Sequence, residues 1–201
     1  RTEMRKFFSP LKAQGQYLRF LFLTGISKFS QMSIFSELNN LQNISMRDDY
    51  SAICGITEQE LRTQLQIDIE QMAQANKETY EEACVHLKQQ YDGYHFTWPS
   101  PDIYNPFSLL NALERRRIDN YWFGSGMPTY LIEMLLKFKV SPSAIGMKKA
   151  LSTSFDAPTE RMTTIVPLLY QSGYITIKNY DKLTQLYTLD IPNGEIRVGL
   201  M

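Results

Sequence analysis

Two hydroxyls and one ammonium stand close together in Thr24-Gly25-Ile26-Ser27-Lys28. They follow directly on the short, nearly all-apolar run Tyr17 to Leu23, which Gly15 and Gly25 bound. Such a run suits a strand buried on both faces, as in a parallel sheet. Ligands of open α/β sheets sit at the carboxyl edge of the strands. A hydroxyl or ammonium placed there can hydrogen-bond a terminal phosphate or an attacking water. Thr24, Ser27 and Lys28 are therefore candidate nucleotide sensors. The same residues also read as a tight strand exit at Thr24-Gly25 and a helix N-cap at Ser27. The residues themselves leave both readings open.

Other chemistry is scarce. A phosphate cradle of the G-x-x-x-x-G-K-[ST] type needs a Gly-Lys pair, and none occurs in the chain. These residues by themselves are expected not to hydrolyse ATP. Asp48-Asp49 follows only a short, interrupted apolar run, which is a poor place for a magnesium site. Asp92 and His95 lie three residues apart, but a triad needs a nucleophile beside them, and neither Ser100 nor Ser108 has an elbow motif around it. A helix end closed by Gly93, with aromatics beneath, is the reading preferred. Cys84 and His86 are two residues apart and so cannot face each other on a helix. Cys84 reads as a core thiol. Glu195-Ile196-Arg197 with Asp190 echoes part of a nuclease motif, but Pro192-Asn193-Gly194 breaks the run and Arg stands where Lys is usual. Arg115-Arg116-Arg117 falls at a helix C-terminus, where cations favour the dipole.

The elements that must position these groups are mostly helical. Thr57 with Glu60, and Thr79 with Glu82, are capping boxes. Leu61, Leu65, Ile69 and Met72 share one helical face, and Tyr80, Ala83, Cys84, Leu87 and Tyr91 another. Asn105-Pro106 is a cap with Pro at the first helical position. Pro128 opens a helix whose apolar face is Tyr130, Leu131, Met134, Leu135 and Phe138. Shorter elements are expected at 32–38 (helix) and 44–46 (strand). Residues 141–157 read as a linker or loosely packed connection, and about 158–172 as a helix that Pro167 kinks or divides. Tyr174 to Ile177 and Leu186 to Leu189 alternate like hairpin strands, turning near Asn179–Lys182. Asn193 can cap a last helix. Helix followed at once by hairpin is the outline of a winged-helix unit.

The 201 residues hold 21 Lys+Arg and 21 Asp+Glu, with 43% hydrophobic residues. A net charge of zero excludes a chain-wide polybasic nucleic-acid binder. Two Cys exclude a disulfide scaffold and a four-thiolate zinc site, and two His make a histidine-rich metal centre unfitting. No apolar run approaches membrane-spanning length and no N-terminal signal is visible, so a cytoplasmic setting is expected. The first residue is Arg, and we read the chain as an internal piece of a longer protein.

Phe22 through Ser30, Ser33-Ile34-Phe35-Ser36-Glu37-Leu38-Asn39-Asn40-Leu41, Tyr91-Asp92-Gly93-Tyr94-His95-Phe96 and Ile103-Tyr104-Asn105-Pro106-Phe107-Ser108-Leu109-Leu110 form an ordered series. Gly126-Met127-Pro128-Thr129-Tyr130-Leu131 and Leu189-Asp190-Ile191-Pro192-Asn193 extend it. In this series the chain resembles the predicted AAA-ATPase-like proteins of Bacteroidetes and other anaerobic bacteria. The resemblance implies an α+β, mostly helical fold in three parts. These are the end of a P-loop α/β core (1–50), a helical region (51–140) and a winged-helix-like region (141–201). It implies ATP and magnesium as cofactors of the parent protein, with none for this piece, and Thr24, Ser27 and Lys28 as sensors. Its implied partners are its own ATPase core and a C-terminal nuclease-like domain of the PD-(D/E)XK type. The near-neutral wing, in which Asp181 and Asp190 offset Lys178 and Lys182, suits a protein partner better than nucleic acid.

Overall fold

Helices start where capping side chains stand. In the computed structural model, which describes residues 10, 13–25, 42–124, 128–159 and 162–201, the Thr57 hydroxyl accepts from the Glu60 amide. Glu60 in turn accepts from the Thr57 amide at 2.8 Å, and helix α1, Glu58–Gln64, follows. Helix α2, Gln66–Asn76, ends at Lys77 in the left-handed conformation. Thr79 and Glu82 repeat the capping box to begin α3, Tyr80–Tyr91. The Asn105 side chain accepts from the Phe107 amide to begin α4, Pro106–Arg115, with Pro106 already at a helical φ. A small antiparallel sheet joins the ends: β1, Ile56–Thr57, pairs with β2, Ile103–Tyr104.

Each box contributes about 1 kcal/mol, whereas fully burying one large apolar side chain contributes about 1.5–3 kcal/mol. Packing therefore holds these helices. Leu61, Ile69, Met72, Leu87, Tyr91 and Leu109 form a buried core with Tyr104 and Ala112. The expected apolar faces are the ones buried, with Leu65 and Tyr80 at the rim.

The second half builds its own core. It comprises α5 (Thr129–Phe138), β3 (Lys148–Ala150), α6 (Ser152–Phe155), α7 (Val166–Gln171), β4 (Thr176–Asp181), β5 (Leu186–Asp190) and α8 (Gly194–Gly199). The sheet order is β3-β5-β4, antiparallel throughout. Leu135, Phe155, Leu169, Ile177, Leu189 and Ile196 meet at its centre. Among the described residues the protein is thus α+β, with helix predominating over two small sheets.

Several expectations change. Residues 141–157 are not a linker: β3 lies within them and pairs with β5 as Lys148↔Leu189 and Ala150↔Tyr187. The 158–172 helix shrinks to α7, and Pro167 sits in its first turn instead of kinking it. A helix start tolerates Pro because its missing N–H would lack an intrahelical partner anyway. The hairpin turns at 182–185, beyond the expected place, because β4 runs on to Asp181. Residues 44–46 form a turn, not a strand. Tyr17 to Leu23 forms no strand either. Gly15–Tyr17 is a short 3-10 turn, and Phe20 is 80% exposed. A strand buried on both faces needs neighbours on both sides, and among the described residues nothing pairs with this run. The expected helix at 32–38 lies outside the described residues.

Candidate functional site

Of the sensor candidates, Thr24 falls among the described residues; it is exposed and belongs to no helix or strand. Ser27 and Lys28 lie outside the described residues. Asp190 and Glu195 do not converge. The Asp190 carboxylate accepts from the Ile191 amide at 2.8 Å and from the Met147 amide, while Glu195 is fully buried and accepts from the Trp122 amide at 2.8 Å. No group of three or more potential metal-ligating side chains occurs among the described residues. The arginine run is structural: Arg116 caps α4 in the left-handed conformation, its guanidinium donates to Gln71, and Arg117 pairs with Asp119.

What the fold does assemble is a seam between the two cores, organised by the turn after α3. Asp92 ends the helix, and Gly93 follows at φ 98°. Any Cβ there would meet the Pro192 carbonyl oxygen at 2.6 Å, so the close approach of this turn to the segment before α8 requires glycine. A β-bulge between Ile177 and Asn179 leaves Lys178 unpaired in β4. Bulges re-aim side chains. Here the ammonium donates to the Gly93 carbonyl at 2.6 Å and the Pro192 carbonyl at 3.2 Å. Burial pushes its pKa down, against the raising influence of Asp102, Asp92 and Asp190. Two residues away in β4, the Thr176 hydroxyl accepts from the His95 amide at 2.8 Å and donates to the His95 carbonyl at 2.9 Å. Tyr91 closes the other side, donating to the Asp119 carbonyl at 2.7 Å.

Asp92 carries the electrostatic cost of this arrangement. It is 3% exposed. Its Oδ1 has no protein partner, and Lys88 stands 3.6 Å from Oδ2. Burial raises its pKa to about 6, against the Gly93 amide, which lowers it. Burial likewise raises Glu195.

His95 is not paired with Asp92. Its Nε2 lies 2.7 Å from Asp102 Oδ1 and its Nδ1 3.0 Å from Ser100 Oγ. The ring is nearly buried, with Trp98 edge-on at 4.9 Å. The hydrogen bond from His95 holds Asp102 below the usual carboxylate range. The Ser100 hydroxyl also lies 3.0 Å from the Thr97 carbonyl. His95 further forms part of the wall of a cavity of about 630 Å³, with Tyr94, Trp122, Tyr130, Tyr170 and Tyr174 around it. Cys84 is buried and His86 points away to Glu78 at 2.7 Å, as their spacing requires.

The structural reading of Tyr91 to Phe96 as a closed helix end over packed aromatics is the arrangement observed. Sequence reasoning missed Lys178, taken for a solvated wing charge, and Asp102, the actual partner of His95. A bulge leaves no residue signature, so nothing could have marked Lys178. Asp102 was visible only as an acid seven residues after a histidine.

A family model described as a predicted AAA-ATPase matches residues 1–35. An uncharacterized protein in the vnfD 5′ region of Azotobacter chroococcum mcd 1 is 31% identical over 202 residues, covering 100% of this chain. The chain spans 37% of that protein's length. No solved structure matches. Among the described residues no helix is long and apolar enough to cross a membrane.

Proposed function

We propose that this chain is part of a predicted AAA-type ATPase. Its helical and hairpin regions couple the nucleotide state of a P-loop core to an effector such as a PD-(D/E)XK nuclease-like domain. The observation that carries the reading is the family match over residues 1–35, which contains all three sensor candidates. The uncovered run at Phe20 and Phe22 supports it. An exposed apolar run of this kind suits a segment whose covering strands come from elsewhere in a longer protein. In this reading ATP and magnesium are held by residues outside this chain, and Thr24, Ser27 and Lys28 face the nucleotide only when that core is present. The seam at Gly93 and Lys178 makes the two halves move together. The winged-helix-like region docks on protein, and the setting is the cytoplasm.

The test is ATP turnover by the longer protein with Thr24→Ala and Ser27→Ala together. Removing an oriented polar contact in a hydrolytic site lowers turnover by about 10²-fold or more, so that loss is expected with ATP affinity nearly unchanged. The 201-residue chain by itself gives no turnover. Unchanged turnover in the double variant returns the loop to a strand exit and N-cap. Turnover by the short chain overturns the assignment of the phosphate cradle to residues outside it.

A further inference from the structure

A nucleophile beside His95 is what a triad reading lacked, and the structure supplies one together with a different acid. Asp102, His95 and Ser100 form a line of two short contacts, 2.7 Å and 3.0 Å. The Asp102 carboxylate, held in its ionised form, is an acceptor only, so it fixes a hydrogen on Nε2. In the neutral ring Nδ1 is then a bare acceptor. That nitrogen needs a donor, because the ring is nearly buried and buried polar atoms are hydrogen-bonded. The Ser100 hydroxyl lies there at 3.0 Å, and its one hydrogen is shared between Nδ1 and the Thr97 carbonyl, also at 3.0 Å. The order of parts is that of an activated serine: an acid that orients the ring, a base, and a hydroxyl within hydrogen-bond reach. The ring is rigidly placed, since Thr176 brackets its backbone and Trp98 packs on its edge.

We propose that Ser100 is a nucleophile toward carboxylic esters, with His95 as its general base and Asp102 as the residue that orients the base. The Ser100 oxygen bonds to the ester carbonyl carbon as its hydrogen passes to His95 Nδ1. Collapse of the adduct breaks the carbon–oxygen bond to the alcohol, which leaves with the hydrogen from Nδ1. Water then repeats the sequence on the acyl-serine. Nδ1 takes its proton and returns it to Ser100, and the carboxylic acid is released. Nothing in this proposal depends on the nucleotide-coupling reading.

An alkyl fluorophosphonate tests it. Ser100 Oγ displaces fluoride at phosphorus and keeps the phosphonyl group, so intact mass and peptide mapping report both the reaction and its place. The expected result is an adduct on Ser100 in the native protein and none after heat unfolding or in Ser100→Ala. Asp102→Asn, at a half-exposed position, should keep the fold by circular dichroism and slow labelling by about 10-fold or more, in line with the loss of an orienting acid. An unchanged mass of the native protein overturns the proposal. The Ser100 hydrogen is then committed to the Thr97 carbonyl. Label on another hydroxyl, or an Asp102→Asn rate equal to wild type, also overturns it.

Discussion

Replacing Asp92 by asparagine should stabilise this protein, and increasingly so as pH rises toward neutral. The two side chains have the same shape, and asparagine keeps an acceptor for the Gly93 amide. What changes is the charge. Asp92 is buried, Oδ1 is unpartnered, and Lys88 at 3.6 Å offsets only part of the desolvation. The folded-state pKa is about 6 against an ordinary 3.8. That rise is roughly two pH units, each equivalent to about 1.36 kcal/mol, so the ionised carboxylate costs the folded state about 3 kcal/mol. The sign follows from proton counting. Between 3.8 and about 6 the folded protein holds a proton that the unfolded chain has released, so wild-type stability falls as pH rises through this window. Below it the carboxyl is neutral in both states and costs nothing. Urea unfolding of wild type and Asp92→Asn across this range is the assay, with the difference between the two proteins isolating this group from every other carboxylate. The difference should be near zero at about pH 3, half developed near pH 5, and about 3 kcal/mol in favour of the variant at about pH 7.5. Parallel curves for the two proteins would refute the reasoning. So would a variant less stable than wild type at neutral pH, since the Lys88 attraction would then exceed the cost of burial.

Leu87→Ala should cost about 2–5 kcal/mol in chemical unfolding, because the side chain is fully buried in the helical core. Phe107→Ala, at an exposed position, should stay within about 0.5 kcal/mol, and equal losses at both would contradict the assignment of the core. Titration of this chain with duplex DNA should show no sub-micromolar binding at low salt, because the hairpin face presents few free cations and Lys178 is committed to two carbonyls. Tight binding that falls steeply with salt would refute the protein-docking role of the winged-helix-like region.

The helical half was legible because its signals are local. Thr57, Thr79 and Asn105 announce helix starts within three residues, and a 3.6-residue period marks which side is buried. Leu61, Leu87 and Leu135 are all where that period puts them. The second half was less legible because its determinants lie far apart in the chain. Lys148 to Ala150 looks like linker until β5 is alongside, and a three-residue edge strand has too little length to show alternation. Pro167 reads as a kink or as a start depending only on where the helix begins. The apolar run from Tyr17 misled for the converse reason: its composition states what would cover it, not whether a cover is present among these residues. At the site, the His95 neighbourhood could be found but its partner could not. Asp92, three residues before the histidine, drew attention from Asp102, seven residues after it and immediately before β2.

The seam also fixes an order of events during synthesis. The helical core draws on residues 61–113, and its helices can pack as soon as that stretch has emerged. The polar groups on its far side cannot. The His95 amide waits for Thr176, 81 residues later, and the Gly93 carbonyl waits for Lys178, 85 residues later. The Trp122 amide waits for Glu195, 73 residues on. Until those residues are made, the turn after α3 stays wet, and the chain carries a packed helical layer with one unsealed face. Contacts of such long sequence separation form late because the loop must close before they reward it. The last helix, α8, then seals the face from which water must leave, so truncation of the final ten or so residues should strand a folded helical layer with its seam open to solvent.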